Sequence, residues 1–398
     1  MHLAPHWKIK RELKRIQKQI ISIHSRVYVS LLSAPHYDRF TGRSVQIFDG
    51  KIPYADRIAI YLIFPKNGIS QSHKLAIEYL RTSGYSPFVV SNLPLTDSDC
   101  AWLTQNTYKF LSRPNIGYDF GGYREGVLSL YSELNRLQYL AFFNDSTWFP
   151  TQGSKDWLSR AEALNVAYAS PASSFGTPRI KFFDFRTMEW RLDVTLRYFH
   201  YCSYALLVRK EILRSKAFWR YWKLLPLTAD KSQVVRVGEI GLTRLVIRKG
   251  YSHGSTLDLN ALPTVLATRS NLELNKIARN LITIGNTEAT QLVEEVVSMR
   301  DAQRSASERQ DLIKLILTVA SRIGASYVLP EFLHENFGFS FLKKSPLVFS
   351  KRDSEIMMKL GKKLKGPSGR IIEHEMHSIF TSMGNEYNTA MPHDHENT

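Results

Sequence analysis

Tyr139-Leu-Ala-Phe-Phe-Asn-Asp-Ser-Thr-Trp148 is the stretch from which the fold of this chain is read. Its first five residues form an apolar run too short for a helix and well suited to a buried strand. Asn144 and Asp145 follow at the carboxyl end of that strand. Upstream, Arg113-Pro-Asn-Ile-Gly-Tyr-Asp-Phe-Gly-Gly-Tyr123 places Asn115, Gly117, Asp119, Gly121 and Gly122 in one loop. That loop is expected between a short strand over 108–111 and a helix over 125–137. Open α/β sheets bind ligands in the crevice beyond the carboxyl ends of their strands. An acidic side chain at that edge can hold a divalent cation, Mg²⁺ or Mn²⁺, and the cation can carry a pyrophosphate. The layout therefore suits an enzyme acting on a nucleotide-activated substrate.

Working outward, short apolar strands alternate with helical patterns from residue 57 to about 262, the signature of an α/β domain. A strand over 58–64 precedes a helix with Ser70 or Ser72 as N-cap and Gly84 at its end. A strand over 87–91 leads into an acidic loop over 96–99. A strand over 201–208 is followed by a helix over 210–222. Gly238-Glu-Ile-Gly-Leu-Thr-Arg-Leu-Val-Ile-Arg-Lys-Gly-Tyr251 reads as a helix stopped by Gly250. Beyond Pro263 long helical periodicity takes over. The expected organisation is a basic helix and turn-rich connector over 1–52, an α/β domain over 53–263, a helical region over 264–384 and a disordered polar tail over 385–398.

Composition sets the outer limits. The chain has 398 residues, 43% hydrophobic and 22% charged, a core-burying profile. Its two cysteines, Cys100 and Cys202, make no disulfide framework and no zinc spacing, and read as reduced thiols of a cytosolic protein. No secretory signal is visible, and no apolar run is long enough to span a bilayer. The net charge of +17 calls for an anionic partner: nucleic acid, a membrane surface or a polyphosphate-bearing substrate. Between Trp7 and Leu32 an apolar stripe (Ile9, Leu13, Ile16, Ile20, Ile23, Val27, Leu31) is backed by Lys8, Lys10, Arg11, Lys14, Arg15 and Lys18. Such a helix can dock on its own core, lie on an anionic membrane or pair with a second copy. Lys359, Lys362, Lys363, Lys365 and Arg370 form a second basic cluster.

Several side chains are candidates for chemistry. Asp145 stands at the sheet edge, where it would meet a metal or a sugar diphosphate, or merely cap a turn. Asp119 could bind a ribose or sugar hydroxyl, with Asn115, Gly117, Gly121 and Gly122 around it, or the group could simply cap a helix. Glu239 heads a helix, where it could act as a general base or answer the helix dipole. Asp97 and Asp99 would contact a base or ribose, or serve a turn. His200 and Ser203 flank a strand start on the expected acceptor side.

Taken together and in this order, Arg113–Tyr123, Phe143-Asn-Asp-Ser146, His200-Tyr-Cys-Ser-Tyr204 and Gly238-Glu-Ile-Gly-Leu242 resemble the rhamnan synthesis protein F family, over roughly 55–260. These are bacterial glycosyltransferases of polysaccharide and O-antigen assembly, similar to the GT-A class. The resemblance implies a GT-A-like (Rossmann-like) open mixed sheet with flanking helices. It sets Asn144-Asp145-Ser146 in the place of the class's Asp-x-Asp motif, with one carboxylate in place of two. It makes Glu239 the base of an inverting transfer, since Ile240 replaces the second acid of the usual pair. Asp119 falls where the class holds the nucleotide sugar. The implied donor is a nucleoside-diphosphate sugar, with rhamnose suggested by the family. The implied acceptor is a lipid-linked oligosaccharide at the anionic inner face of the membrane, and no nucleic-acid partner is expected. The competing readings are a catalytically silent basic scaffold that binds nucleic acid or membrane, and a nucleotidyl- or phospho-sugar transferase. The chain lacks a Gly-rich loop ending in Lys-Ser/Thr, which argues against P-loop chemistry.

Overall fold

The computed structural model of the protein describes residues 32–151, 156–298 and 304–389. The basic helix expected over the first residues falls almost wholly outside them, as does most of the polar tail.

The strand over Arg57–Ile63 (β2, after an edge strand β1 at Gln46–Asp49) is buried on both faces from Ile58 onward, as its unbroken apolar sequence demands. β3 (Ser86–Ser91), β4 (Lys109–Ser112) and β5 (Tyr139–Asn144) complete a parallel set in which β2 is central. Ile60 lies opposite Phe88 on one side and Phe142 on the other. Beyond β5 the sheet continues through β10 (Ala205–Arg209), β7 (Tyr168–Ser170) and β11 (His253–Ser255), with β10 antiparallel to both neighbours. The eight-stranded order is β1-β4-β3-β2-β5-β10-β7-β11. This is the α/β open mixed sheet with flanking helices expected from the sequence.

The chain builds outward from β2 to β4 and then returns to place β5 on the opposite side of β2. That reversal opens a crevice beyond the carboxyl ends of β2 and β5, the place where open α/β sheets bind ligands. Side chains alternate across the sheet. Ile58, Ile60, Leu62, Phe88, Val90 and Phe142 pack on one face against the helices Tyr118–Ser129 (α1) and Lys216–Leu224 (α2). Phe120 and Phe142 both stack on Trp222 there. Ala59, Tyr61, Ile63, Val89 and Phe143 face the other way, into a core continuous with the C-terminal helices Ala306–Ile323 and Pro330–Phe337. A smaller cluster of Trp148, Leu342, Leu347, Met357 and Met376 joins the helix Gly366–Thr389 to the end of β5.

Several local expectations need correction. The stretch read as a turn-rich connector contains β1, an exposed edge strand antiparallel to β4. The acidic stretch read as a loop is the start of a helix, Asp97–Asn106, because Thr96 and Asp99 close a reciprocal capping box. α1 begins at Tyr118, so Asp119, Gly121 and Gly122 belong to its first turns and not to a loop. The strand over 201–208 is broken into β9 (His200–Tyr201), which pairs with β8 (Ser173–Ser174), and β10. The helix over 210–222 is broken at Ser215, whose hydroxyl caps α2. Within the helical C-terminal half a two-residue strand, β12 (Leu342–Lys343), pairs antiparallel with β6 (Thr147–Trp148).

Candidate active site

Asp145 leaves β5 at the crevice and is tied to β2 on both sides. Its N–H donates to Leu62 O at 3.1 Å, and its Oδ2 accepts from Phe64 N–H at 2.6 Å. The same oxygen meets Nε2 of buried His73 at 3.2 Å. His73 is the third residue of the helix Gln71–Thr82, and its Nδ1 accepts from Ser70 N–H at 3.1 Å. Since Nδ1 is an acceptor there, the hydrogen bond to Asp145 fixes the neutral Nε2–H tautomer. Burial pushes the Asp145 carboxyl up, but His73, Lys344 and the Phe64 N–H hold it below its ordinary value.

Asp119 reaches the same crevice from α1. Gly117 and Tyr118 both have positive φ, +81° and +49°, a conformation that strains tyrosine and turns the helix start toward β5. Asn144 Nδ2 donates to Asp119 Oδ2 at 3.0 Å, so the two sequence candidates touch. Burial, with the charges of Glu239 and Asp145, pushes the Asp119 carboxyl up to about 6. Gly121 and Gly122 face the protein and not the crevice. A Cβ at Gly121 would lie 2.1 Å from Ile116 O, and one at Gly122 would lie 2.3 Å from Leu62 Cδ1. They let α1 settle on the loop and on β2.

Glu239 is the first residue of the helix Glu239–Arg248, under the positive end of the helix dipole. Its Oε2 lies 3.2 Å from Nε2 of buried His200. His200 Nδ1 is 2.8 Å from Tyr198 O, a carbonyl that only accepts, so Nδ1 carries a proton. A second proton on Nε2 then completes the bond to Glu239, and the pair is an imidazolium–carboxylate. Burial alone would lower the pKa of His200; Glu239 more than reverses this. Burial pushes Glu239 up, and His200, Lys343 and Ser203 bring it below its ordinary value. Buried Ser203 also accepts from Tyr123 O–H at 2.8 Å through its carbonyl.

The remaining sequence candidates scatter. Asn115 is exposed in the loop before α1. Asp97 is exposed in the first turn of its helix, and Asp99 is consumed by that helix's cap and by Ile69 N–H at 3.0 Å. Two groups of the cluster escaped the sequence reading: His73 and Lys343. His73 had a usable signal, since the first turn of a helix following a central strand faces the crevice. Lys343 had none. It enters on β12, and its Nζ lies 3.3 Å from Ser146 Oγ and 4.1 Å from the centre of the Tyr204 ring.

Among the described residues, no three or more His, Cys, Asp or Glu side chains are grouped to hold a metal ion. Asp145 Oδ2 is already occupied by His73 and Phe64 N–H. The free carboxylate oxygens here are too few to hold a divalent ion unless a bound ligand adds its own oxygens. A cavity of about 110 Å³ lined by Arg269, Glu273, Lys276 and Glu331 lies on the C-terminal helices and shares no residue with this cluster. No described helix is long and apolar enough to cross a membrane.

Comparison with known proteins bears on this arrangement. The chain is 29% identical over 259 residues to the uncharacterized protein y4gN of Sinorhizobium fredii, covering 64% of this chain and 62% of that one. It thus spans less than two thirds of that relative's length. Among solved structures it is similar to core-mannan synthase A of Aspergillus fumigatus in its Mn/GDP form, at TM-score 0.25 and 12% identity, over 49% of this chain and 72% of that one. It is likewise similar to the mannosyltransferase Ktr4p of S. cerevisiae, at TM-score 0.25 and 11% identity, over 50% and 69%. Likenesses at that TM-score are too weak to transfer a ligand or a mechanism. Residues 88–276 match the model of the rhamnan synthesis protein F family, so the resemblance read from the sequence holds over the segment that carries Asp119, Asn144, Asp145, His200 and Glu239.

Proposed function

We propose that this chain is a glycosyltransferase that moves a sugar from a nucleoside-diphosphate donor to a hydroxyl of a lipid-linked bacterial polysaccharide or O-antigen precursor. The reading is supported by the family match and by one observation above all. Three carboxylates, Asp119, Asp145 and Glu239, converge on the crevice at the strand-order reversal, each held by a different partner. Rhamnose is the sugar that the family name suggests.

Glu239 serves as the base of an inverting transfer. The acceptor oxygen attacks the anomeric carbon opposite the leaving diphosphate, and the hydroxyl becomes acidic as that bond forms. A carboxylate with a depressed pKa then suffices to take the proton. His200 orients Glu239 and keeps it ionised, and Ser203 lies beside them on the acceptor side. Asp119 and Asn144, already hydrogen-bonded to each other, hold the donor's sugar or ribose hydroxyls. Asp145 fixes the junction of β2 and β5 beneath the donor. The basic N-terminal segment and the exposed Lys359, Lys362, Lys365 and Arg370 bring the enzyme to the anionic inner face of the cytoplasmic membrane.

The test is a thermal-shift screen of the full chain against nucleoside-diphosphate sugars, with and without Mg²⁺ or Mn²⁺, followed by assay of the released product. A ligand that binds only the native state raises its melting temperature. The expected result is a shift with one donor and release of free nucleoside diphosphate on adding acceptor. Release of pyrophosphate would instead mark a nucleotidyl transfer. No response to any donor or acceptor would favour a silent scaffold.

A further inference from the structure

We infer that Lys343 is the cation that binds the donor's diphosphate and receives its charge as it leaves, in the position where a metal would otherwise serve. This rests on the glycosyltransferase reading of the site.

Lys343 is 9% exposed, yet no carboxylate lies within ion-pair distance of its ammonium among the described residues. Its polar contact is a neutral hydroxyl, Ser146 Oγ at 3.3 Å, and its other neighbours are the Tyr204 and Tyr327 ring faces at 4.1 and 5.0 Å. A largely buried ammonium without an ion pair is costly, and a diphosphate arriving beside it would supply the missing anion. The neighbouring Thr147, the register partner of Lys343, adds a buried hydroxyl oxygen with no hydrogen-bond partner among the described residues.

The place of this ammonium is chemically telling. Ser146 directly follows Asp145, so Lys343 stands at the carboxyl end of β5, where its charge helps lower Glu239 and partly offsets the rise in Asp119. Those acids would repel a diphosphate, and among the described residues they do not close into a set of three that could hold a divalent ion by itself. A diphosphate seated there needs positive charge from the chain itself. Lys343 supplies it, with Lys344 on the next position: its N–H donates to Ser146 O at 3.0 Å, and its charge acts on Asp145. In the transfer, the bond from the anomeric carbon to the diphosphate oxygen breaks as the acceptor oxygen bonds to that carbon. The electron pair stays on the diphosphate facing Lys343, and the acceptor proton goes to Glu239.

The test measures binding of nucleoside diphosphates (dTDP, UDP, GDP) and of the matching nucleosides to the full chain in excess EDTA. Wild type is expected to prefer one diphosphate over its nucleoside by at least tenfold without metal. Lys343→Met should cut affinity for the diphosphate by about 10- to 100-fold, the range for losing a charge-assisted hydrogen bond, and leave affinity for the nucleoside unchanged. A merely structural lysine would weaken both ligands together or lower the melting temperature alone. Lys343→Gln, which keeps a donor toward Ser146, is the second variant should Lys343→Met fail to melt cooperatively. The inference is overturned if wild type prefers the diphosphate only with Mg²⁺ or Mn²⁺, or if both variants keep that preference. If no nucleotide or nucleotide sugar binds with or without metal, the glycosyltransferase reading fails first, and the role of Lys343 goes with it.

Discussion

The site holds two histidine–carboxylate pairs of the same length, 3.2 Å, that work in opposite ways. In the first, His73 accepts from a backbone N–H and gives its one proton to Asp145, so a neutral ring satisfies every bond. In the second, His200 gives its Nδ1 proton to a carbonyl and must carry another to reach Glu239. The backbone atom behind each ring sets the charge of the pair in front of it. One pair is a strut across the β2–β5 junction; the other is an ion pair at the head of the helix Glu239–Arg248.

The largest expected effect comes from Glu239→Gln. If the second pair is the reactive one, kcat should fall by about 10²- to 10⁴-fold with little change in KM for the donor, in steady-state kinetics. Equal losses in Asp145→Asn would erase the distinction between the pairs. Next, Asp145→Ala should destabilise the fold by roughly 1–3 kcal/mol in denaturant titration, because Phe64 N–H and His73 lose their shared acceptor. A change within 0.5 kcal/mol would mean that the strut carries no strain across the junction.

A third contrast lies in pH. The raised pKa of His200 contributes stability that is complete below its ordinary 6.5 and is lost as pH rises through the folded value. The lowered pKa of Glu239 contributes stability that is complete above 4.5 and is lost as pH falls through its folded value. The pair is therefore strongest between these limits. Melting temperature followed from pH 6 to pH 9 should show an alkaline decline that His200→Gln and Glu239→Gln both flatten and His73→Gln leaves in place. A decline unaffected by either of the first two would assign it elsewhere. The smallest effect is a gain. Asp119, pushed up to about 6, costs stability increasingly as pH rises from 3.8 through that value. Asp119→Asn keeps the bond to Asn144 and should stabilise the protein by roughly 1–2 kcal/mol above pH 6, with no gain below pH 3.8. Loss of donor binding in the same variant would mark that strain as functional.

The sheet was legible because its strands announce themselves. Residues 58–63 and 139–143 are unbroken apolar runs, and burial on both faces is what such runs require. The convergence of Asp119, Asn144 and Asp145 followed from reading strand ends as a crevice. What escaped was set by single atoms or by distance. Thr96 looks like any turn residue until its hydroxyl finds Asp99 N–H. β1 is exposed along its length and so has no apolar pattern to betray it. The protonation of His73 and His200 depends on which backbone atom each Nδ1 meets. Lys343 lies 197 residues from the serine it touches, and Lys343 and His73 both fall outside the family-matched segment.

The β6–β12 pairing has a consequence for how the protein is made. A ribosome finishes the sheet when β11 emerges, but Lys343 follows some ninety residues later, on the order of ten seconds at common translation speeds. During that interval Asp119, Asp145 and Glu239 have no lysine from β12 among them. On the proposed role of Lys343, nucleotide capture then begins only after the C-terminal helices have docked and β12 has paired with β6.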